Sequence, residues 1–238
     1  MPHEQMDQRQ VAAYLHMDLR EVLKLASRGK IPCRRAPGGF VFRKGQIDHW
    51  VWEQMHTLGK DRLAGIEKGV GDHHGMETGA LIVRPLIPDG CLAAPLRART
   101  REAAIRALID LAAKADLVFA RDKLIEEIRK REELCSTAML PGVALPHPRH
   151  PLPYDIAASF VVVGLTPGGI PYGAAGASLT RLFFLICCKD DRTHLHVLAR
   201  LAQMLHNEVD LSNMISADNA AELGQIILEC EKRVRLGA

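Results

Sequence analysis

Apolar residues recur at helical spacing in three short stretches near the start of the chain, and an extended stretch separates the last two. Asp18 is a preferred N-cap and Gly29 a preferred terminator, so they set the ends of the second helix. The turn Pro37-Gly38-Gly39 indicates a hairpin. In chain order, the predicted elements are a helix over 8–15, a helix over 19–28, strands over 31–36 and 40–43, and a helix over about 46–55. This order predicts a winged helix-turn-helix domain.

From residue 81 onward, helical patterns alternate with short continuous apolar runs. Two of these runs, 159–165 and 182–187, have the composition of strands that are buried on both faces of a sheet. Helices are predicted over 100–113, 122–133, 191 or 193 to 205, and 217–232. The alternation predicts an α/β (α+β) fold, in which helices cover both faces of a mixed sheet.

Between these two parts, the stretch 59–79 contains six glycines separated by charged and histidine residues. Such a stretch has little apolar surface to bury and loses much backbone entropy when it becomes ordered. We therefore predict three segments: a winged helix-turn-helix domain over 1–57, a flexible linker over 58–80 and a second domain over 81–238.

The composition, 47% hydrophobic and 25% charged, is that of an ordinary globular protein, and a net charge of +3 does not by itself indicate a nucleic-acid partner. The distribution of charge indicates a nucleic-acid partner, because the segment from Arg20 to Lys44 contains eight basic residues and one acidic residue. We predict that the second helix enters a DNA major groove while the hairpin arginines contact phosphates. A solvated face without a ligand is the alternative. The predicted DNA-contacting residues are Arg20, Lys24, Arg28, Arg34, Arg35, Arg43 and Lys44.

The six cysteines show neither a CxxC spacing nor a zinc-finger pattern, and Cys187 and Cys188 end an apolar run. Buried thiols in a reducing compartment are the expectation. The first ten residues are polar, and no apolar run approaches the roughly 20 residues that a membrane span needs. We therefore expect a cytoplasmic protein without a membrane partner.

The N-terminal part resembles the excisionase-like and MerR-like helix-turn-helix family. The matching text is Val11-Ala-Ala-Tyr-Leu15, Gly29-Lys-Ile-Pro32, Gly39-Phe-Val-Phe-Arg43 and Ile47-Asp-His-Trp50. The resemblance implies DNA binding, with a homodimer on paired half-sites.

The second candidate site is His147, which stands between two prolines in Gly142-Val-Ala-Leu-Pro-His-Pro-Arg149. Proline locks φ and donates no backbone hydrogen bond, so we expect this imidazole in a stiff, solvent-facing loop. A neutral histidine is a nucleophile, and an ordinary pKa near 6.5 keeps much of it neutral at pH 7. The pattern is typical of a histidine that is presented to a partner.

This part of the chain looks like the enzyme IIA domains of the fructose/mannitol type, which include the nitrogen-regulatory phosphocarriers of the sugar phosphotransferase system. The likeness covers nearly all of 81–234 and is carried by Arg131-Glu-Glu-Leu-Cys-Ser-Thr137, by the histidine loop and by Thr193-His-Leu-His196. It implies that His147 accepts a phosphoryl group from a histidine phosphocarrier protein. It also implies that His194 lies beside His147 and that Arg131 lies near the phosphate.

Two departures from that family concern the histidine loop. Pro148 stands where the family often has glycine, and Thr137-Ala-Met-Leu-Pro141 lacks the usual glycine pair. Pro148 removes one backbone donor for a phosphate, for which Arg149 can compensate, and the missing glycine pair predicts a different loop conformation.

The leading hypothesis is a DNA-binding regulator that responds to phosphorylation of His147. One alternative is a phosphocarrier that passes phosphate to a sugar-specific IIB protein, and another is a degenerate module that only binds a partner. A metal site that pairs His147 with His150, or His194 with His196, is disfavoured, because no Asp, Glu or Cys set completes a coordination shell. Neither a cofactor nor a metal is predicted.

Overall fold

A computed structural model of the protein describes residues 5–54, 59–74, 80–173 and 178–236. By their contacts, the residues form two units. The first unit holds the chain up to Ala80 together with Leu195–Gln203, and the second holds Leu81–His194 and the chain from Met204 onward.

The first unit contains a three-stranded sheet and four helices. Two of the helices lie between the first and second strands in the sequence, and two follow the third strand. Its elements are β1 (Gln5–Asp7), α1 (Gln8–Tyr14), α2 (Leu19–Ser27), β2 (Arg34–Ala36), β3 (Gly39–Arg43), α3 (Lys44–Gln54) and α4 (Lys60–His74). The antiparallel sheet has the order β1-β3-β2. The predicted helices and the hairpin are confirmed. Strand β1 was not predicted, because three residues are too few to show a period.

Local signals explain where the helices of this unit begin. Asp7 and Gln10 form a capping box at the start of α1. The Asp18 carboxylate accepts a hydrogen bond of 2.7 Å from the backbone N–H of Arg20, which caps α2 as the sequence predicts. The apolar faces then meet in a core that includes Val11, Leu15, Val22, Phe42, Ile47 and Val51.

The prediction of a flexible linker over 58–80 is wrong from Lys60 to His74, where the structure has helix α4. Leu63 and Ile66 of this helix are buried. Gly69 lies against α1 so closely that a Cβ atom there would stand 2.4 Å from the carbonyl oxygen of Tyr14. Glycine in this stretch therefore permits close helix packing. Residues 55–58 and 75–79 of the predicted segment lie outside the described residues.

The second unit is a mixed sheet with helices packed on it. Its elements are a 3₁₀ turn (Arg84–Leu86), β4 (Leu92–Ala93), α5 (Arg101–Lys114), α6 (Arg121–Leu134), β5 (Ala138–Leu140), β6 (Val143–Ala144), β7 (Phe160–Ile170), β8 (Thr180–Cys187), α7 (Asp191–Leu205, shared with the first unit), α8 (Glu208–Ile215) and α9 (Ala220–Arg235). The sheet order is β4-β7-β8-β6-β5. Pairs β4/β7 and β6/β8 are parallel, whereas β7/β8 and β5/β6 are antiparallel.

The two continuous apolar runs form the central antiparallel pair of this sheet. Successive side chains of a strand point to opposite faces, and every residue of β7 from Phe160 to Leu165 is buried. Both faces are therefore covered, and the predicted fold class is confirmed. Helix α5 packs on β7 and β8, and α9 on β4. Cys187 and Cys188 are buried as predicted, and burial raises the pKa of both thiols.

Short elements of this unit, β4 to β6 and α8, were not predicted, because two or three residues of a strand or two turns of a helix carry too little periodicity. Across the described ranges, no helix combines the length and the apolar character needed to cross a membrane.

Candidate functional site

Strand β6 and its continuation position His147. Strand β6 runs parallel to β8, and the pairing continues past its end, where the Ile186 N–H donates a 2.9 Å hydrogen bond to the Pro146 carbonyl. Gly142, which precedes β6, has a φ of +88° in the left-handed region, and its own carbonyl accepts hydrogen bonds from Arg181 and Leu182. The segment that leads to His147 is thus held by the sheet.

The tautomer of His147 follows from one hydrogen bond. Its Nδ1 atom lies 2.7 Å from the carbonyl oxygen of Leu145. A carbonyl oxygen only accepts hydrogen bonds, so Nδ1 carries the proton. In the neutral ring, Nε2 then holds the lone pair, which makes Nε2 the nucleophilic atom.

The prediction that His147 faces solvent is wrong. Only 3% of the residue is exposed, and Pro148 is buried as well, whereas Arg149 and His150 are exposed. The physical reason is that the segment before His147 lies along β8 and does not project from it. The two prolines stiffen the chain at the sheet.

His194 lies beside His147, as the resemblance implies. The ring centroids are 5.0 Å apart and the planes are inclined by 52°. His194 occupies the first turn of α7, whose start is capped by Asp190: its carboxylate accepts 2.9 Å hydrogen bonds from the N–H and the hydroxyl of Thr193.

His194 is held in its neutral form. Burial and the charge of Arg131 lower the pKa of His194 to about 4, and Asp190 acts in the opposite direction. At neutral pH, this ring is therefore an uncharged group that donates or accepts a hydrogen bond.

Arg131 brings a positive charge to this pair. It lies in the last turn of α6, is 2% exposed, and donates a hydrogen bond of 2.7 Å from Nη1 to the carbonyl of Cys135. Its charge acts on His194 and lowers the pKa of that ring. An arginine stays charged at all relevant pH values and binds phosphate oxygens well. The three predicted residues thus lie in one part of the second unit.

Sequence reasoning missed two residues beneath this site, Glu132 and Thr137. The Glu132 carboxylate accepts hydrogen bonds from the backbone N–H and the hydroxyl of Thr137. Both stand in the same Arg131–Thr137 motif, so the motif itself was the signal. The predicted change in the loop 137–141 coincides with a register irregularity between β5 and β6. The side chains of 139 and 140 lie outside the described residues.

The metal alternative finds no support in the positions of the histidines. His196 contacts the Glu67 carboxylate at 3.1 Å within the first unit, while His194 belongs to the second. Within the parts of the chain that the structure describes, no three His, Cys, Asp or Glu side chains gather around a position for a metal ion.

The predicted DNA-contacting residues are exposed with one exception. Arg34 pairs with Val41 and Arg43 with Gln5 in the three-stranded sheet, so both arginines lie on its solvent face. The basic residues of α2 and Arg35 are exposed as well.

Lys44 is the exception. Its ammonium group lies 5.0 Å from the centroid of the Tyr14 ring, and the residue is 7% exposed. A cation over an aromatic face contributes to packing. Lys44 is thus packed against Tyr14, whereas the other six predicted residues are open to solvent.

Two families match this chain. Residues 86–230, more than half of it, match the family described as "Phosphoenolpyruvate-dependent sugar phosphotransferase system, EIIA 2", and residues 6–55 match a helix-turn-helix domain family. A nitrogen regulatory protein of Klebsiella oxytoca is 26% identical over 152 residues, which are 63% of this chain and 92% of that protein. The fructose-specific EIIABC component of Bacillus subtilis is 25% identical over 139 residues, and this match spans 58% of this chain and only 21% of that component.

A solved structure shows the same fold. The nitrogen regulatory protein IIA-Ntr of Neisseria meningitidis superposes with a TM-score of 0.54 on 60% of this chain and 97% of its own, at 19% sequence identity. The resemblance expected for each half of the sequence is confirmed by these matches.

Proposed function

The chain belongs to the EIIA 2 family of the phosphoenolpyruvate-dependent sugar phosphotransferase system, and from this premise we propose that His147 accepts a phosphoryl group from a histidine phosphocarrier protein. We further propose that this event changes DNA binding by the helix-turn-helix domain. The observation that carries the first step is the hydrogen bond from Nδ1 of His147 to Leu145, which keeps the lone pair on Nε2.

The proposed transfer needs no other covalent group. The Nε2 lone pair attacks phosphorus, a new N–P bond forms, and the N–P bond to the donor's imidazole breaks with its electron pair returning to the donor ring. The His147 ring gains positive character, and the Leu145 carbonyl stabilises it by accepting the Nδ1 proton in a hydrogen bond. Such transfers depend mainly on alignment and charge stabilisation.

Arg131 and His194 are assigned different parts of that stabilisation. The Arg131 guanidinium offsets the negative charge of the phosphoryl oxygens. His194, neutral because of its lowered pKa, offers a hydrogen bond without adding a charge that would repel the developing imidazolium. The 3% exposure of His147 limits the access of water to the new N–P bond.

DNA binding is assigned to the exposed basic residues of the first unit. The six exposed residues lie on α2, at its C-cap and on the three-stranded sheet: Arg20, Lys24, Arg28, Arg34, Arg35 and Arg43. The proposed assembly is a homodimer on paired half-sites, whose helices enter successive major grooves. A phosphohistidine adds nearly two negative charges, which is sufficient to alter binding to a polyanion.

The test begins with intact-mass measurement after incubation with phosphoenolpyruvate, enzyme I and the histidine phosphocarrier protein. We expect one acid-labile phosphoryl group on the wild type and none on His147→Ala. His150→Ala is the matched control, since it removes an exposed histidine three residues away and should leave labelling intact. Labelling of His147→Ala at the wild-type level would contradict the assignment.

DNA affinity is then compared for the two phosphorylation states at one fixed salt concentration, because phosphate contacts make affinity depend on salt. A change that disappears in His147→Ala supports the regulator. Equal affinity in both states would refute the proposed response while leaving the phosphoryl acceptor in place.

A second candidate is a phosphocarrier that hands the group to a sugar-specific IIB protein. The match to a fructose-specific component favours it. Loss of phosphate from the labelled protein on addition of a purified IIB protein would support this function. If the wild type accepts no phosphoryl group from any of these donors, the chain is a partner-binding module without the chemistry.

A further inference from the structure

Glu132 is a buried carboxylate for which the proposed transfer has no use. It follows Arg131 in α6, and only 4% of the residue is exposed. Burial raises the pKa of Glu132, although hydrogen bonds from Thr137 and the charge of Arg131 act in the opposite direction. An ionisable group in such a position costs free energy unless it is paired, and Thr137 is its main partner.

The contact with Thr137 uses both carboxylate oxygens. Oε2 accepts a 3.1 Å hydrogen bond from the Thr137 backbone N–H, and Oε1 accepts one from the Thr137 hydroxyl. Thr137 is itself 1% exposed. Two hydrogen bonds to one residue fix both its position and its orientation, and they are strong when the acceptor is charged.

Two further hydrogen bonds continue from Thr137 to the nucleophile. The Thr137 carbonyl accepts a 3.0 Å hydrogen bond from the Leu145 N–H, and the Leu145 carbonyl accepts the 2.7 Å hydrogen bond from Nδ1 of His147. The chain of contacts thus runs from Glu132 through Thr137 and Leu145 to His147. Through these contacts, helix α6 is connected to the group that selects the tautomer of His147.

We propose that Glu132 is a positioning residue, which holds Thr137 and thereby sets the Leu145 carbonyl that selects the Nδ1–H tautomer of His147. Glu132 does not touch the phosphoryl group. The inference rests on the proposed function, because the tautomer matters for the nucleophilicity of Nε2.

The test uses two variants of the full chain. Glu132→Gln preserves size but removes the charge, and Thr137→Val removes the hydroxyl donor while keeping the backbone N–H. Nitrogen-15 NMR distinguishes the two neutral tautomers, since protonated and bare ring nitrogens resonate far apart. We expect wild-type His147 to show the Nδ1–H form and both variants to populate the Nε2–H form. Phosphoryl transfer to His147 should slow roughly tenfold in each.

Three comparisons separate positioning from general destabilisation. Glu133→Gln changes the adjacent exposed carboxylate and should leave the tautomer and the rate unchanged. The double variant should be no slower than either single variant, because both changes break the same contact. Thr137→Ser restores the hydroxyl and should recover the wild-type tautomer, which a role in packing alone would not produce. Thermal unfolding verifies that each variant is folded.

The outcomes are distinct. A folded Glu132→Gln with the wild-type tautomer and rate overturns the inference. If Glu132→Gln does not fold, the pair Thr137→Val and Thr137→Ser decides in its place, and equal tautomers in those two overturn it. If the wild type accepts no phosphoryl group, the proposed function fails, whereas the NMR comparison still decides whether Glu132 sets the tautomer.

Discussion

The two imidazoles of the site are acted on by different groups. His147 has its proton directed to Nδ1 by a backbone carbonyl, and its low exposure comes from the strand segment that carries it. His194 has its charged form disfavoured by burial and by a neighbouring guanidinium. A neutral ring beside a nucleophilic ring can contact it without charge repulsion.

A first prediction concerns the stability of the protein in mild acid. The folded pKa of His194 is about 4, below the ordinary value of 6.5. Between these values the unfolded chain binds a proton that the folded chain does not, so stability falls as pH falls through this window. The contribution is at most about 3 kcal/mol. Urea unfolding between pH 4 and pH 6.5 should show a smaller loss in His194→Gln than in the wild type.

His150→Gln serves as the control for that experiment, because His150 is exposed and its removal should leave the wild-type slope. An identical slope in wild type and His194→Gln would contradict the lowered pKa of His194 in the folded protein.

At the scale of elements, α2 formed as its amphipathic spacing predicts, whereas α4 formed despite its glycine content. Helix α2 buries Val22 and Ala26 and exposes its basic residues, as amphipathic spacing predicts. Helix α4 is rich in glycine, which lowers helix propensity by about 1 kcal/mol per residue relative to alanine. Its burial of Leu63 and Ile66 and its close approach to α1 outweigh that cost.

Substitution of Gly69 by alanine tests the role of glycine in α4. The added Cβ would lie 2.4 Å from the Tyr14 carbonyl oxygen and 2.9 Å from that of Ala13, and backbone atoms do not move away as a flexible side chain does. We expect a loss of about 1–3 kcal/mol in the free energy of unfolding. Gly59→Ala, where no atom lies within 4 Å of the added Cβ, should show no such loss. Equal stability of the two variants would contradict the close packing of α4 against α1 and would support a flexible linker.

The basic stripe of α2 leads to a prediction about salt. If Arg20, Lys24 and Arg28 contact phosphates, each alanine substitution should reduce the slope of log affinity against log salt by about 0.9. Titrations of one DNA duplex at several salt concentrations measure this slope. Lys114→Ala, an exposed lysine of the second unit, is the control and should leave the slope intact. An unchanged slope in all three α2 variants would show that the stripe is only a solvated face.

At the scale of the whole molecule, a buried cluster around Glu67 joins residues that lie more than a hundred positions apart in the sequence. Its carboxylate accepts hydrogen bonds from Arg200 and Gln203 and lies 3.1 Å from Nε2 of His196. Burial would raise the pKa of Glu67, but the hydrogen bonds and charges of His196 and Arg200 outweigh it and lower the pKa. This cluster unites α4 with residues 195–203 in the first unit.

Removal of this carboxylate should lower the free energy of unfolding more than removal of an exposed carboxylate. Glu67→Ala removes a buried carboxylate that pairs with Arg200, which is itself 2% exposed. We expect a loss of about 3–5 kcal/mol in the free energy of unfolding of the full chain, measured in urea. Glu21→Ala breaks an exposed pair with Arg62 and should cost at most about 1 kcal/mol. Similar costs for the two substitutions would contradict the burial of the Glu67 cluster.

The candidate site residues could be named from the sequence because they stand in short motifs. In the structure, the rings of two of them, His147 and His194, lie 5.0 Å apart. The surroundings of each residue were not predictable in the same way. The sequence does not show that Glu132 contacts Thr137 or that Lys44 packs on Tyr14. These contacts depend on how the chain folds.

By itself, the sequence determined the order and type of the long elements other than α4, since caps, apolar spacing and continuous apolar runs act within a few residues. Asp18 and the run in β7 are instances. The tertiary structure alone decided that His147 is buried, that a glycine-rich stretch is a helix, and that Glu67 meets Arg200, 133 positions away along the chain. Burial and charge pairing depend on distant residues brought together by packing, and no local pattern encodes which of them will meet.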